Sequence, residues 1–220
     1  MISLILPTVR PRKMMECLNA IVRASNGVAV EVVIVSDFKL DEAASFVELE
    51  PLKHMIGLKN IVSERRGVVD ANIKGYEASE GDYVMTLSDE ALLQPGSLER
   101  LTQFCKQHHD KVLTSPRHVP YYGFYYYQKW FAPFPFAHKS LIEDIGGLFL
   151  PEYKCFYADP DLSLRAYAKG YEVAECHDAV IIHTNMMNDT AHQNNVASYV
   201  VDDRRTFKEK WAHLGEFKDP

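Results

Sequence analysis

Two adjacent carboxylates, Asp89 and Glu90, follow the apolar stretch 83–87 of this 220-residue chain. The stretch predicts a buried strand, so the acidic pair lies where the backbone leaves a sheet and side chains can converge on a cation. Mg²⁺ and Mn²⁺ prefer carboxylate oxygens and keep positions open for phosphate oxygens. The pair therefore predicts either a divalent-ion site facing a diphosphate or an acidic turn that caps the next helix.

A second acidic group, Asp159 and Asp161, flanks Pro160 at the start of a helix predicted over 160–169. Asp at the cap followed by Pro at the first helical position is a common helix start, and a cap needs only one carboxylate. The functional alternative makes Asp159 a general base that polarises an acceptor hydroxyl for attack. Both roles are compatible, because the positive end of a helix helps to keep a carboxylate ionised.

His183 and an aromatic segment are the remaining candidates. His183 ends an apolar run, where a neutral imidazole either completes an ion's shell with Asp89 or Glu90 or serves the structure alone. Segment 121–136 holds ten of the chain's 25 aromatic residues and is interrupted by Gly123, Pro133 and Pro135, which predicts a packed loop or a short edge ribbon. Its rings either stack against a sugar or fill the core.

Strands and helices that alternate over the first half must position these groups. Apolar runs predict strands at 2–6, 28–35, 60–62 and 83–87, and helical periodicity appears between them, including a helix over 43–49. This order predicts an α/β fold with a mostly parallel central sheet flanked by helices on both faces. Ligands of such sheets bind beyond the carboxyl ends of the strands, where Thr8, Asp37 and 88–90 fall, so these residues should meet at one rim.

The second half predicts a short helix over 140–145, strands at 171–174 and 179–182, and an amphipathic tail helix with apolar residues at Val196, Val200, Phe207, Trp211 and Leu214. No linker or repeat interrupts the chain. We therefore expect one domain over 1–220, with a nucleotide-binding half at 1–90, an acceptor and catalytic half at 91–185, and a helical tail at 186–220.

Composition excludes several classes of protein. Hydrophobic residues make up 47% and charged residues 25%, as in folded globular domains. The net charge of -6, without a basic run, argues against nucleic-acid binding. The apolar runs are strand-sized, so no transmembrane segment is predicted. Four separated cysteines and the absence of a secretion signal predict a cytoplasmic location, with peripheral membrane association left open.

Four segments together resemble the family 2 glycosyltransferases, which have the GT-A fold. They are ISLILPT at the start, VVIVSD ending at Asp37, RRGVVDANIKGYEASEGDYVMTLSDE ending at Glu90, and GGLFLPEYKCFYADPDLSLRAYAKGYEV around Asp159. The resemblance spans roughly 2–183. The chain departs from the family pattern where Ser88 and Glu90 stand in place of the usual aspartates, and where Ala158 stands in place of a glutamate.

The resemblance implies an inverting transfer of a sugar from a nucleotide-diphosphate donor, with a UDP-sugar favoured, to a saccharide, lipid-linked or protein acceptor. Mn²⁺ or Mg²⁺ would neutralise the leaving group. Asp159 would be the catalytic base. The implied ion ligands are Asp89, Glu90 and His183, and the implied nucleotide-sugar contacts are Pro7, Thr8, Asp37, Arg66, Asn72 and Asp89.

Two other functions stay open from the sequence. The three departures are also expected of a catalytically silent nucleotide- or carbohydrate-binding module that has kept the fold. A nucleotidyltransferase likewise combines an α/β sheet with a carboxylate-held ion, although this chain has no glycine-rich, lysine-bearing phosphate loop near its first strand.

Overall fold

The computed structural model describes residues 1–25, 27–40, 57–64, 66–120, 124–184 and 190–217. The strands are β1 (Ile2–Thr8), β2 (Val30–Ser36), β3 (Gly57–Val62), β4 (Tyr83–Thr86), β5 (Ala91–Leu93), β6 (Val112–Val119), β7 (Tyr125–Tyr126), β8 (Lys129–Trp130), β9 (Phe136–His138) and β10 (Glu172–His183). The helices are α1 (Pro11–Ser25), α2 (Val68–Glu77), α3 (Ser97–Gln107), α4 (Lys139–Asp144), α5 (Ala158–Ala168) and α6 (Thr190–Trp211), followed by a 3₁₀ turn (Ala212–Leu214). The helix predicted over 43–49 lies outside the described residues.

A mixed sheet of eight strands forms the centre, in the order β3-β2-β1-β4-β9-β6-β10-β5. β1 pairs in parallel with β2 and β4, β2 with β3, and β6 with β10. β9 runs antiparallel between β4 and β6, and β5 runs antiparallel to β10. The predicted mostly parallel sheet is therefore confirmed, with two short antiparallel strands, β9 inside the sheet and β5 at its edge.

The two faces of the sheet explain why β1 is apolar throughout. All seven of its residues are buried, and successive side chains point to opposite faces. Leu4 belongs to a core that includes the apolar sides of α1 and α3, whereas Ile5 belongs to a second core with α2, α4 and α5. The predicted arrangement of helices on both faces is confirmed.

The second half departs from the predicted pattern in two strands. β6 was not predicted, because Pro116 and four polar residues interrupt its apolar pattern. β10 is one strand where two were predicted, and its register with β6 shifts between Cys176 and Val180, next to the partner of Pro116. A shift at this point accommodates a residue that has no N–H for the ladder.

The aromatic segment forms a short ribbon of two strands, β7 and β8. This is one of the two structures predicted for it. It then runs into the sheet through β9, whose Phe136 is fully buried. Among the described residues, no helix combines the length and the apolar character needed to cross a bilayer.

The start of α5 differs from the predicted helix start. Its N-cap is Tyr157, in the left-handed conformation at φ 62°, and Asp159 lies in the first turn. Asp159 is therefore not the cap, and Pro160 is not the first helical residue. The backbone enters the helix two residues earlier than predicted, and the Tyr157 ring packs on Phe207 of α6, at 5.2 Å between centroids.

Candidate active site

One cavity of about 770 Å³ gathers most of the residues that the sequence singled out. It opens beyond the carboxyl ends of β1 and β2, the rim that the alternation of strands and helices predicts. Pro7 and Thr8 end β1, and Asp37 directly follows β2. The predicted residues that line the cavity are Pro7, Thr8, Asp37, Arg66, Asp89, Glu90, Asp159 and His183.

Asn72 is the predicted contact that does not line the cavity. Its side chain is buried within α2, where Nδ2 donates to the Val68 carbonyl at 2.9 Å. The helical bond to the preceding turn holds the amide against the core. The structure therefore does not bring Asn72 to the cavity.

Asp89 and Glu90 are almost completely buried, at 2% and 6% exposure. Thr8 donates through Oγ1 to Asp89 Oδ2 at 2.5 Å. Arg10, two residues beyond the end of β1, donates through Nε to the same oxygen at 3.2 Å, and its Nη2 contacts both Asp89 Oδ1 and Glu90 Oε1. The negative charge of the acidic pair is thus met by a guanidinium from the first loop.

His183 lies on the other side of Glu90, with 3.8 Å between His183 Nε2 and Glu90 Oε2. Burial, with a smaller contribution from His118, lowers the His183 pKa to about 4, so the imidazole is neutral at physiological pH. His118 packs edge-on against His183 at 5.2 Å between ring centroids, and its Nδ1 donates to the Pro120 carbonyl at 2.6 Å. A neutral imidazole beside a carboxylate is a suitable metal ligand.

The donor set fits a divalent ion, although the described part of the chain holds no ready-made group of three His, Cys, Asp or Glu ligands. Two buried carboxylates and a neutral imidazole supply oxygen and nitrogen donors. Glu90 Oε1 also lies against the Arg10 guanidinium without an aligned hydrogen-bond donor, so this buried oxygen is incompletely satisfied. Asp89, Glu90 and His183 would hold the ion once Arg10 withdraws.

Asp159 faces the same cavity from the first turn of α5. This side chain keeps part of its surface exposed, but the surrounding protein limits its hydration, and that desolvation raises its pKa well above the ordinary range for Asp. A raised pKa makes the ionised carboxylate a stronger base. Geometry and electrostatics both suit a group that accepts a proton.

Asp161, two residues further on, has the opposite environment. It is fully buried, and its carboxylate is paired with two cations, Arg165 Nε at 2.8 Å and Lys210 Nζ at 2.8 Å. Trp211 Nε1 donates a hydrogen bond to it at 3.0 Å. The Tyr153 hydroxyl donates to it as well, at 3.1 Å. Asp161 therefore ties α5 to α6 and does not line the cavity.

Asp203 of α6 anchors the loop that leads into α5. Its carboxylate, at 2% exposure, accepts the backbone N–H groups of Lys154, Cys155 and Phe156 at 2.8 to 2.9 Å. On the other side of the loop, Val69 N donates to the Lys154 carbonyl at 3.1 Å, and a Cβ at Gly67 would come within 2.3 Å of that same oxygen. The loop before Asp159 is therefore clamped between α6 and the start of α2.

We expect Asp203→Ala to lower kcat for the reaction at this cavity by about 10- to 100-fold, with little change in KM. Three backbone N–H groups lose their acceptor, and a displacement of about 1 Å at a reacting group costs on the order of 10²-fold. Steady-state kinetics, measured well below the unfolding temperature of the variant, will test this.

The matched control is Asp202→Ala, because Asp202 precedes Asp203 on the same helix but is 68% exposed and pairs only with Arg205 in the described contacts. This control should behave like the parent protein. Equal kcat values for Asp203→Ala and the parent would show that the loop does not depend on this carboxylate.

The remaining cavity wall consists of two contrasting surfaces. Apolar rings from the aromatic segment line one side, namely Phe124, Phe131 and Phe134. Uncharged polar residues from the first half of α6 contribute as well, namely Asn194, Asn195, Ser198 and Tyr199, together with His192. An aromatic surface beside a set of hydrogen-bonding groups suits a ligand that has both apolar and polar faces.

Sequence reasoning missed Arg10, His118 and Asp203. Arg10 carried a usable signal, since a charged residue so close to the predicted strand end belongs to the same rim. His118 carried none, because the strand that bears it was not predicted. Asp203 was hidden too, since its partners are backbone groups almost 50 positions earlier in the chain.

Comparison with known proteins gives a family match and several structural neighbours. Residues 3–165 match the family model described as Glycosyl transferase family 2. A search of curated proteins found no significant match.

S. aureus TarS 1–349 in complex with UDP-GlcNAc is 18% identical, with a TM-score of 0.71, over 97% of this chain and 65% of that one. The mannosyltransferase PcManGT from Pyrobaculum calidifontis, in complex with GDP-Man and Mn²⁺, is 17% identical, with a TM-score of 0.69, over 99% of this chain and 65% of that one. In a further S. aureus TarS structure the match spans 96% of this chain and only 43% of the other. The shared feature is the fold.

Proposed function

Because the chain belongs to glycosyl transferase family 2 and has the GT-A fold, we propose that it transfers a sugar from a nucleoside-diphosphate sugar to an acceptor hydroxyl, with inversion at the anomeric carbon. The observation that carries the proposal is that Asp89, Glu90 and Asp159 line one cavity although they come from distant stretches of the chain. Asp161, so close in sequence to Asp159, lies elsewhere, so the clustering is selective.

In the proposed reaction, the acceptor oxygen attacks the anomeric carbon while its proton passes to the Asp159 carboxylate. The bond between the anomeric carbon and the β-phosphate oxygen breaks, and the nucleoside diphosphate leaves. Desolvation of Asp159 strengthens it as the base for this step. A single displacement of this kind inverts the anomeric configuration.

Residues at the strand ends would bind the donor. Asp37 is exposed at the rim, suited to a nucleoside base or ribose, and Thr8 holds Asp89 in position. Arg66 is also exposed at the rim, where it forms an ion pair with Glu64 at 2.8 Å. Its guanidinium could leave Glu64 and bind a phosphate group of the donor instead.

Mn²⁺ or Mg²⁺ held by Asp89, Glu90 and His183 would neutralise the charge that develops on the diphosphate leaving group. The solved neighbours are complexes with UDP-GlcNAc and with GDP-Man and Mn²⁺, which guides the choice of probes. We favour a UDP-sugar as donor and place the acceptor between the aromatic rings and Asp159.

The test is release of nucleoside diphosphate from UDP-GlcNAc, UDP-glucose and GDP-mannose, with and without Mn²⁺ and a panel of saccharide acceptors. We expect one donor to be turned over faster in the presence of both the ion and an acceptor. In parallel, a ligand that binds at 100-fold above its Kd should stabilise the fold by about 2.7 kcal/mol, which a thermal-shift assay detects.

A specific observation keeps the catalytically silent module as a second candidate, because Arg10 already neutralises the acidic pair. Nucleotide binding that is indifferent to divalent ions, without turnover of any donor, would favour the silent module and contradict the transferase. Inversion is checked separately, from the anomeric configuration of the product by NMR.

A further inference from the structure

The contact between Arg10 and the acidic pair places a fixed cation where the proposed ion would bind. Asp89 and Glu90 are buried, whereas the Arg10 side chain is 25% exposed and reaches them from the cavity wall. Buried carboxylates without a counter-charge cost several kcal/mol each. Arg10 therefore stabilises the pair in the donor-free protein.

We propose that Arg10 is the resident counter-cation of Asp89 and Glu90, and that its withdrawal toward the donor diphosphate sets the affinity for the divalent ion. The inference rests on the proposed function and adds a residue that the sequence analysis did not assign. Arg10 and the ion carry like charges and compete for the same carboxylate oxygens, so both cannot occupy the pair fully.

The donor resolves this competition. Its diphosphate offers pairs of oxygens that the planar guanidinium contacts bidentately, and these contacts replace the ion pairs that Arg10 gives up. The ion then finds Asp89 and Glu90 unoccupied by the side chain. By linkage, the diphosphate raises the affinity for the ion by the same factor as the ion raises the affinity for the diphosphate.

The incomplete contact at Glu90 favours an exchangeable partner over a permanent one. Nε of Arg10 makes a hydrogen bond to Asp89, but Glu90 Oε1 has no aligned donor from the same guanidinium. His183 Nε2 also stays 3.8 Å from the other Glu90 oxygen, beyond hydrogen-bond distance. A smaller, doubly charged ion satisfies these groups better than the guanidinium does.

The test compares Mn²⁺ affinity with and without UDP, measured by electron paramagnetic resonance of the free ion, in the parent protein and in Arg10→Gln. In the parent, UDP should tighten Mn²⁺ binding by about tenfold or more, within the range typical of coupled sites. In Arg10→Gln, Mn²⁺ alone should bind about tenfold more tightly than in the parent, and the effect of UDP should shrink.

Arg12→Gln is the matched control, because Arg12 lies only two residues further on, at the start of α1, with its side chain 94% exposed. It should titrate like the parent. Arg10→Lys is a second variant in case Arg10→Gln folds poorly, since it keeps the charge but loses the bidentate contact, and its Mn²⁺ affinity without UDP should fall between the other two.

The outcomes separate this inference from the proposed function. If parent and Arg10 variants bind Mn²⁺ equally, and UDP strengthens binding equally in all of them, the role of Arg10 is wrong while the transferase stands. If no variant binds Mn²⁺ with or without UDP, both the role of Arg10 and metal assistance are wrong, and transfer must be tested without an ion.

Discussion

Asp159→Asn is expected to lower kcat for sugar transfer by about 10²- to 10⁴-fold, the range for loss of a general base. The amide keeps the size of the carboxylate but cannot accept the acceptor proton. Donor binding should persist, because the proposed nucleotide contacts are on other elements. The measurement is single-turnover transfer by the parent and the variant, beside a thermal-shift titration with UDP.

The pH dependence of kcat/KM tests whether the pKa of Asp159 is raised. Because desolvation raises the pKa of Asp159, the base loses activity as pH falls through that raised pKa, at a higher pH than for an ordinary Asp. The acid limb of kcat/KM for the parent should lie correspondingly high. An acid limb at the pH of an unperturbed carboxyl group would contradict the assigned environment.

Asp159→Asn should make the protein more stable at neutral pH although it makes it less active. A carboxyl group whose pKa is raised on folding favours the folded state below its unfolded pKa, and this contribution is lost as pH rises through the folded pKa. The neutral Asn avoids that loss. Asp159→Asn should therefore melt at a higher temperature than the parent at neutral pH, and the difference should vanish in acid.

Asp161→Asn is expected to destabilise the fold, with a loss of about 3 kcal/mol in the free energy of unfolding. The substitution removes the negative charge that faces Arg165 and Lys210 and turns an amide donor toward groups that themselves donate. For a chain of this length, the melting temperature should drop by roughly 6–12 °C.

Asp159→Asn is the control for this experiment, since the same chemical change two residues away is expected to stabilise the fold. Below its own melting temperature, Asp161→Asn should retain most of the parental kcat. A variant that melts normally yet is inactive would mean that the roles of the two aspartates have been exchanged.

The sequence was sufficient to predict the rim. Parallel strands end at one edge, so Thr8, Asp37 and Asp89 were expected to lie near one another, and all three line the same cavity. The chemical roles of these residues stay predictions. The division of the chain into a nucleotide-binding half, a catalytic half and a tail also stays a prediction.

The sequence predicted the tail helix but not which of its apolar residues are buried, because that depends on long-range packing. The apolar spacing of the tail correctly indicated a helix, and Phe207 and Trp211 are buried as expected. Val196 is 37% exposed, however, because the first half of α6 lines the cavity instead of the core. Periodicity identifies an apolar face but not the surface against which a helix packs.

The sequence also could not predict that Asp159 and Asp161 have different environments. Both stand beside Pro160 in one short acidic motif, and a pattern of residue types treats them alike. Their environments diverge because Lys210 and Trp211, far along the chain, reach only one of them. A local motif therefore suggested the chemistry, whereas the tertiary fold selects the residue.

The anchoring of the loop by Asp203 has a consequence for substitutions within the loop. Since this carboxylate binds only main-chain amides at 154–156, its three hydrogen bonds do not depend on which side chains stand there. Cys155 is one of these positions and lines the cavity. Exchange of the thiol at this position would therefore reshape the cavity lining while the loop keeps its attachment to α6.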